Sequence, residues 1–249
     1  MVEDRSPESA VAGGRWFTTT HWSVVLAAGH GSGARQAEAL ESLCRSYWRP
    51  LYCYVRRRGY GIADAEDLTQ EFFRVFVEQN AAGRADRTRG RFRTFLLASL
   101  QNFLANEWRK ANAVKRGGGR PTVPLDASAA ETQLLANRLA EMTPERAYEK
   151  SWAVATLEEA MVSLENDYRR SGRGVLFDSL RLLLWDEPRA ETYAEVGPGL
   201  AMSEAAVKMA VSRLRRRARE LLRRAVADTV ASPDEIDEEF RHLLAVLRV

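Results

Sequence analysis

Apolar residues recur at three- and four-residue spacing through most of the chain, a period that predicts helices rather than strands. Ala37, Leu40, Cys44, Tyr47 with Trp48, Leu51, and Tyr54 with Val55 form one series, which ends at Arg56, Arg57, Arg58 and Gly59. A second series runs over residues 64–79, with Leu68, Phe72, Val75 and Phe76 on one face. Its acids crowd the first turn, where the helix dipole favours them. A third carries Phe92, Phe95, Leu96, Leu100, Phe103, Leu104 and Trp108. The three fit one compact unit over residues 35–113, and residues 21–28 predict a short helix ahead of it.

Residues 115–143 read as a linker, opening with an Arg-Gly-Gly-Gly-Arg-Pro run. Pro144 then starts a long helix over 146–170, with Tyr148, Trp152, Ala155, Met161, Leu164 and Tyr168. An apolar helix over 175–185 follows, closed by Pro188. Residues 191–200 and 203–227 predict a short helix, a tight turn and a longer helix. Ser203 stands at the N-cap position, and Val207, Val211, Leu214, Ala218, Leu221 and Ala225 form one buried stripe. Pro198 weakens the first of these two helices, because it lacks a backbone N–H. Ser232, Pro233 and Glu235 announce a last helix over 233–247, acidic outside and apolar along Ile236, Phe240, Leu243, Leu244 and Leu247. That tail is expected either to pack back on the protein or to cover a basic face or meet a regulator.

Composition sharpens this picture in three ways. Ile occurs only twice among 249 residues, while Ala and Leu are abundant, which favours an all-α fold. No apolar run is long enough to span a membrane, and no signal peptide opens the chain, so a cytoplasmic location without membrane association is expected. Three scattered histidines and two cysteines, Cys44 and Cys53, offer no metal-ligand spacing and no catalytic constellation. The expectation is therefore a non-enzyme with no metal and no cofactor.

Charge is strongly segregated. Residues 84–120 hold ten Lys and Arg against Asp86 and Glu107, a net of +8, and residues 208–224 hold eight against Glu220, a net of +7. The tail 225–249 holds six acids against Arg241 and Arg248, a net of −4. Arg outnumbers Lys 33 to 4, a choice that suits phosphate and base recognition. Two cationic blocks far apart in sequence predict two contacts with a polyanion. In the second block, a short helix, a turn and an Arg-rich helix have the form that enters a DNA major groove.

Three stretches resemble a bacterial RNA polymerase sigma factor of the extracytoplasmic-function (ECF) group. Tyr47-Trp48-Arg49-Pro50-Leu51-Tyr52, followed by Asp64-Ala65-Glu66-Asp67-Leu68-Thr69-Gln70-Glu71-Phe72-Phe73, is similar to the start of the family's region 2. Phe92-Arg93-Thr94-Phe95-Leu96 and then Asn102-Phe103-Leu104-Ala105-Asn106-Glu107-Trp108-Arg109-Lys110 resemble the part that opens the −10 element. Tyr193-Ala194-Glu195-Val196, Ser203-Glu204-Ala205-Ala206-Val207-Lys208 and the Arg run after them resemble region 4.

The resemblance implies two helical domains: a region 2-like bundle over 35–113 and a region 4-like helix-turn-helix over 145–227. A flexible linker over 114–144 would join them, with an extension at 1–34 and an acidic C-terminal helix at 228–249. It implies core RNA polymerase and promoter DNA as partners, with an anti-sigma factor or other regulator as a further one. Leu68, Gln70, Glu71 and Phe72 would meet the largest-subunit clamp, and the second domain the second-largest-subunit flap. Arg89, Arg91, Arg93, Asn102, Asn106, Trp108, Arg109 and Lys110 are the candidates for the −10 element. The two Asn, one turn apart, suit a base edge because an amide both donates and accepts. Ser203, Glu204, Lys208, Ser212 and Arg213 are the candidates for the −35 bases and nearby backbone, with Arg215, Arg216 and Arg219 on phosphates. The competing readings are a stand-alone helix-turn-helix regulator of duplex DNA and a sigma-like adaptor that binds only protein.

Overall fold

Between Pro50 and Val55 every side chain is buried, and a helix that is apolar on all sides must be enclosed by its neighbours. In the computed structural model, which describes residues 22–114, 142–185, 190–227 and 229–248, that segment belongs to the central helix of an all-helical fold. The elements are α1 (Trp22–His30), α2 (Gly33–Arg57), α3 (Ile62–Glu78), α4 (Phe92–Val114), α5 (Pro144–Arg170), α6 (Gly174–Leu180), α7 (Ala190–Gly199), α8 (Glu204–Ala227) and α9 (Ile236–Arg248). Short 3-10 turns lie at Ala81–Arg84, Arg87–Arg89, Arg181–Leu183 and Pro233–Glu235. Most of the expected extension at 1–34 and of the linker at 114–144, together with Pro188, lies outside the described residues. No described helix is long and apolar enough to cross a membrane.

Helix α2 packs against α1, α3 and α5. On α2, stripe residue Tyr54 reaches Glu145 of α5, and Cys53, off the stripe, packs on Ala147 of α5. The seam between α2 and α5 is partly polar: Arg57 donates to the Met142 carbonyl at 2.7 and 2.9 Å, and Arg49 pairs with Glu158 at 3.0 Å. Phe92, the first residue of α4, ties three helices together through edge contacts with Trp22 at 6.2 Å and Tyr47 at 5.6 Å. Cys53 is fully buried, and burial, with the Glu41 carboxylate nearby, pushes the Cys44 thiol up to about 11, so Cys44 is not a thiolate at neutral pH.

Among the described residues, two extended hydrophobic cores share α5. That helix gives Tyr148, Trp152, Ala153 and Ala160 to the core built around α2. Leu164 joins a second core with Phe177, Leu180, Leu183, Leu184, Val207, Val211, Leu214 and Ala218. The predicted apolar helix over 175–185 is shorter than expected. It becomes a 3-10 turn after Leu180 and leaves Val175, Leu182 and Trp185 exposed. Helix α8 also serves both cores, because Leu222 and Val226 at its C-terminal end reach the first one. Leu221, expected within the stripe, is only half-buried.

Glycine is required where α1 meets the turn after α3. A Cβ on Gly29 would stand 2.6 Å from both the Cα and the N of Gly83, and the Asn80 side chain donates to the Gly29 carbonyl at 2.9 Å. The clash is with backbone, so Gly29→Ala is expected to cost about 1–3 kcal/mol. Urea unfolding followed by tryptophan fluorescence checks this; an unchanged midpoint would mean that α1 does not dock this way.

The tail helix α9 returns to the body of the protein. Phe240 and Leu243 enter the first core, and Lys150 of α5 donates to the Val246 and Leu247 carbonyls at 3.2 and 3.0 Å. Ser232 makes no side-chain cap; instead the Glu235 carboxylate accepts from the Ala231 N–H at 3.3 Å.

Candidate nucleic-acid interface

Helix α4 carries Phe95, Ser99, Asn102 and Asn106 at spacings of four, three and four, so all four lie along one face. That face opens on a recess of about 330 Å³, within the range of small-ligand pockets. Its walls are aromatic: Phe72 and Phe76 from α3 face Phe95 and Phe103 from α4, with Phe72 and Phe103 at 5.7 Å and Phe76 and Phe95 at 6.5 Å. Polar groups stand at the rim, namely Asn102, Asn106, Ser99, Gln79 and Arg84. The Arg84 guanidinium donates to the Gln79 side-chain oxygen at 3.3 Å, and the Asn106 oxygen accepts from Arg109 at 2.7 Å. An apolar slot with amide groups at its edge is what a planar, hydrogen-bonding ligand needs.

The structure thus brings the two asparagines together with Arg84 of the basic loop, and adds Gln79 and Ser99, which sequence reasoning did not single out as site residues. Ser99 was legible in the four-three-four spacing. Gln79 was not, because it reaches the recess from the end of another helix.

Several candidates fall elsewhere. Trp108 does not wall the recess: it is 64% exposed and lies about 200° round the helix from Asn106. The aromatic lining comes from the four phenylalanines instead. Phe72, a candidate for the polymerase contact, is buried as one of those four. Leu68 and Gln70 are half-buried, and Glu71 is held by Arg74 at 2.5 Å, a hydrogen bond that keeps its carboxyl below the usual range. Lys110 is exposed and pairs with Glu107 at 2.8 Å, and Arg89 is exposed on the loop.

Arg91 and Arg93 turn towards the tail helix rather than to solvent. Arg91 stands 2.7 Å from the Glu239 carboxylate, and Arg93, only 3% exposed, pairs with Glu239 and with Glu149 at 3.2 Å. The Arg93 guanidinium also covers the Trp152 ring at 4.0 Å. Desolvation explains the placement: Glu239 is 0% exposed, and a carboxylate removed from water needs cations against it.

The second candidate surface is on α8. The turn before it is tight. Ala201 adopts a left-handed conformation at φ 51°, the Met202 N–H donates to the Gly197 carbonyl at 3.0 Å, and a Cβ on Gly197 would stand 2.7 Å from the Met202 carbonyl oxygen. Pro198 is accommodated in the last turn of α7, so that helix ends at Gly199 rather than breaking earlier. Ser203 caps α8 as expected, its hydroxyl accepting from the Ala206 N–H at 3.3 Å.

Along one exposed flank of α8, Glu204, Lys208, Ser212, Arg216, Arg219 and Arg223 fall within about a third of the helix circumference. Lys208 pairs with Glu204 at 2.6 Å and lies 5.5 Å from the Tyr193 ring centre on α7. Arg213 is exposed beside this arc. Arg215 is not a free phosphate ligand, since it is half-buried and donates to the Leu183 carbonyl at 2.8 Å. Arg217 braces α8 against α5 through Asp167 at 2.6 Å, and that hydrogen bond holds the Asp167 carboxyl below its ordinary range.

No family model, curated protein or solved structure matches the chain. The functional reading therefore rests on the residues and their geometry.

Proposed function

We propose that this protein is a sigma factor of the ECF type, which joins core RNA polymerase, recognises −35 and −10 elements and helps to open the DNA. The observation that carries the reading is the recess, with amides of Asn102 and Asn106 at the mouth of an aromatic slot, Arg84 in its lining, and Arg109 and Lys110 on the next turn of α4. Opening a duplex leaves unstacked bases that must be held against a cost of a few kcal/mol per step. Aromatic walls, edge-reading amides and nearby cations supply stacking, hydrogen bonding and phosphate attraction together.

The helix pair α7–α8 supports the other half of the reading, with Ser203, Glu204, Lys208 and Ser212 in the N-terminal part of α8, the part that would enter a major groove. Arg213, Arg216 and Arg219 stand where flanking phosphates pass. The exposed Val175, Leu182 and Trp185 give this part an apolar face suited to a polymerase flap contact. On α3, Leu68, Gln70 and Glu71 remain candidates for the clamp. A stand-alone duplex-binding regulator needs α7 and α8 but leaves the recess without a role.

The test is co-elution with core polymerase together with binding of promoter duplex in a salt titration. Arg216→Ala and Arg219→Ala are each expected to weaken duplex binding and to flatten the slope of log affinity against log salt by about one unit. Unchanged slopes for both would remove α8 from the phosphate contacts.

A further inference from the structure

The acidic tail helix takes hold of arginines from both cationic blocks. Glu239, buried, lies against Arg91 and Arg93 of the first block, and Asp237 pairs with Arg223 of the second. Phe240 lies beneath the same Arg223, whose guanidinium is 5.6 Å from the ring centre. The segment that leads into α9 takes a further arginine of the first block, because Arg87 donates to the Val230 carbonyl at 3.2 Å. Of the five arginines in the loop and helix start from 84 to 93, three are directed at residues 230–239, and Arg84 and Arg89 are left exposed. Arg223 lies on the same arc of α8 as Lys208, Arg216 and Arg219, so the tail reaches the edge of the second candidate surface as well.

We infer that α9 is an internal acidic competitor for nucleic acid: its carboxylates occupy positions that phosphates would take, and the backbone of bound DNA gains these arginines only when the tail is displaced. The inference rests on the promoter-binding reading above and adds regulation to it. Charge complementarity between a −4 tail and blocks of +8 and +7 is the general support, and the Arg91, Arg93 and Arg223 pairs are the specific one. A carboxylate on arginine is a charge-assisted contact of the same kind as phosphate on arginine, so the two exclude each other.

Two variants separate masking from structural support. Asp237→Asn alters a side chain that is 70% exposed and leaves the core untouched. Glu239→Gln keeps the buried shape and removes the charge. Binding of a labelled single-stranded oligonucleotide and of its duplex is measured across a salt titration with the full-length protein, free and with core polymerase. Each variant is expected to bind about three- to tenfold more tightly at low salt, with a slope steeper by about one unit for each arginine released. A purely structural role for Glu239 gives lower stability with equal or weaker binding, and that result overturns the inference.

Hydrogen exchange over residues 236–248 of the unaltered protein gives an independent reading. Protection is expected to fall when the holoenzyme binds promoter DNA. An active holoenzyme whose tail stays fully protected overturns the mask alone. If neither the unaltered protein nor the variants bind any oligonucleotide, and no transcription is supported, the promoter-binding reading fails and the mask with it.

Discussion

Arg93→Ala is expected to destabilise the protein by about 3–5 kcal/mol, the cost of leaving a buried charge without its partner. Glu239 is 0% exposed and would keep only Arg91, while Glu149 would lose a contact at 3.2 Å. The guanidinium over the Trp152 ring adds a smaller, cation–π share to the loss. Urea unfolding followed by circular dichroism measures the effect. The double variant Arg93→Met with Glu239→Met removes both charges and fills the same space, so it is expected to recover most of the loss. A single variant within about 0.5 kcal/mol of the unaltered protein, the size of an ordinary surface change, would contradict the buried ion cluster.

Asn102→Ala combined with Asn106→Ala carries the largest expected effect on function. Both side chains are exposed on α4, so stability should change by less than about 0.5 kcal/mol per site. A well-placed pair of hydrogen bonds to a base edge is worth about 1–3 kcal/mol of discrimination. Losing such a pair from each of two amides, about 2–6 kcal/mol together, therefore lowers promoter opening by about thirtyfold or more at 1.4 kcal/mol per tenfold. Open-complex formation on a supercoiled promoter reads this directly, with duplex binding by α8 as the internal control. Loss of both together would point to misfolding, and loss of neither would show that the recess holds no base.

The helices were legible because apolar spacing is a local property. The series through Leu51, Phe72 and Leu100 each became a helix near the expected bounds, and the Ser203 cap formed as its position required. What the sequence did not disclose was which residues share a neighbour. Tyr52 and Cys53 fall off the α2 stripe, yet both are buried, and Cys53 packs on Ala147 of α5, far along the chain. Arg93 reads as one more cation in a basic run, and only the return of the tail turns it inward. Phe72 reads as an outer contact on an acidic helix until α4 is laid beside it. Periodicity specifies which face of a helix is apolar but not which partner it meets, so the asparagines and the phenylalanines were each visible, but not that Phe72 and Phe76 of α3 face Phe95 and Phe103 of α4.

The central claim is tested most directly by transcription in vitro with core RNA polymerase on a genomic promoter library, with and without this protein. The account predicts start sites that need both components, that fall sharply on Asn102→Ala with Asn106→Ala, and that share upstream −35 and −10 sequences. An absence of such start sites, with the protein alone protecting duplex DNA, would contradict it and assign the helix pair to a stand-alone regulator.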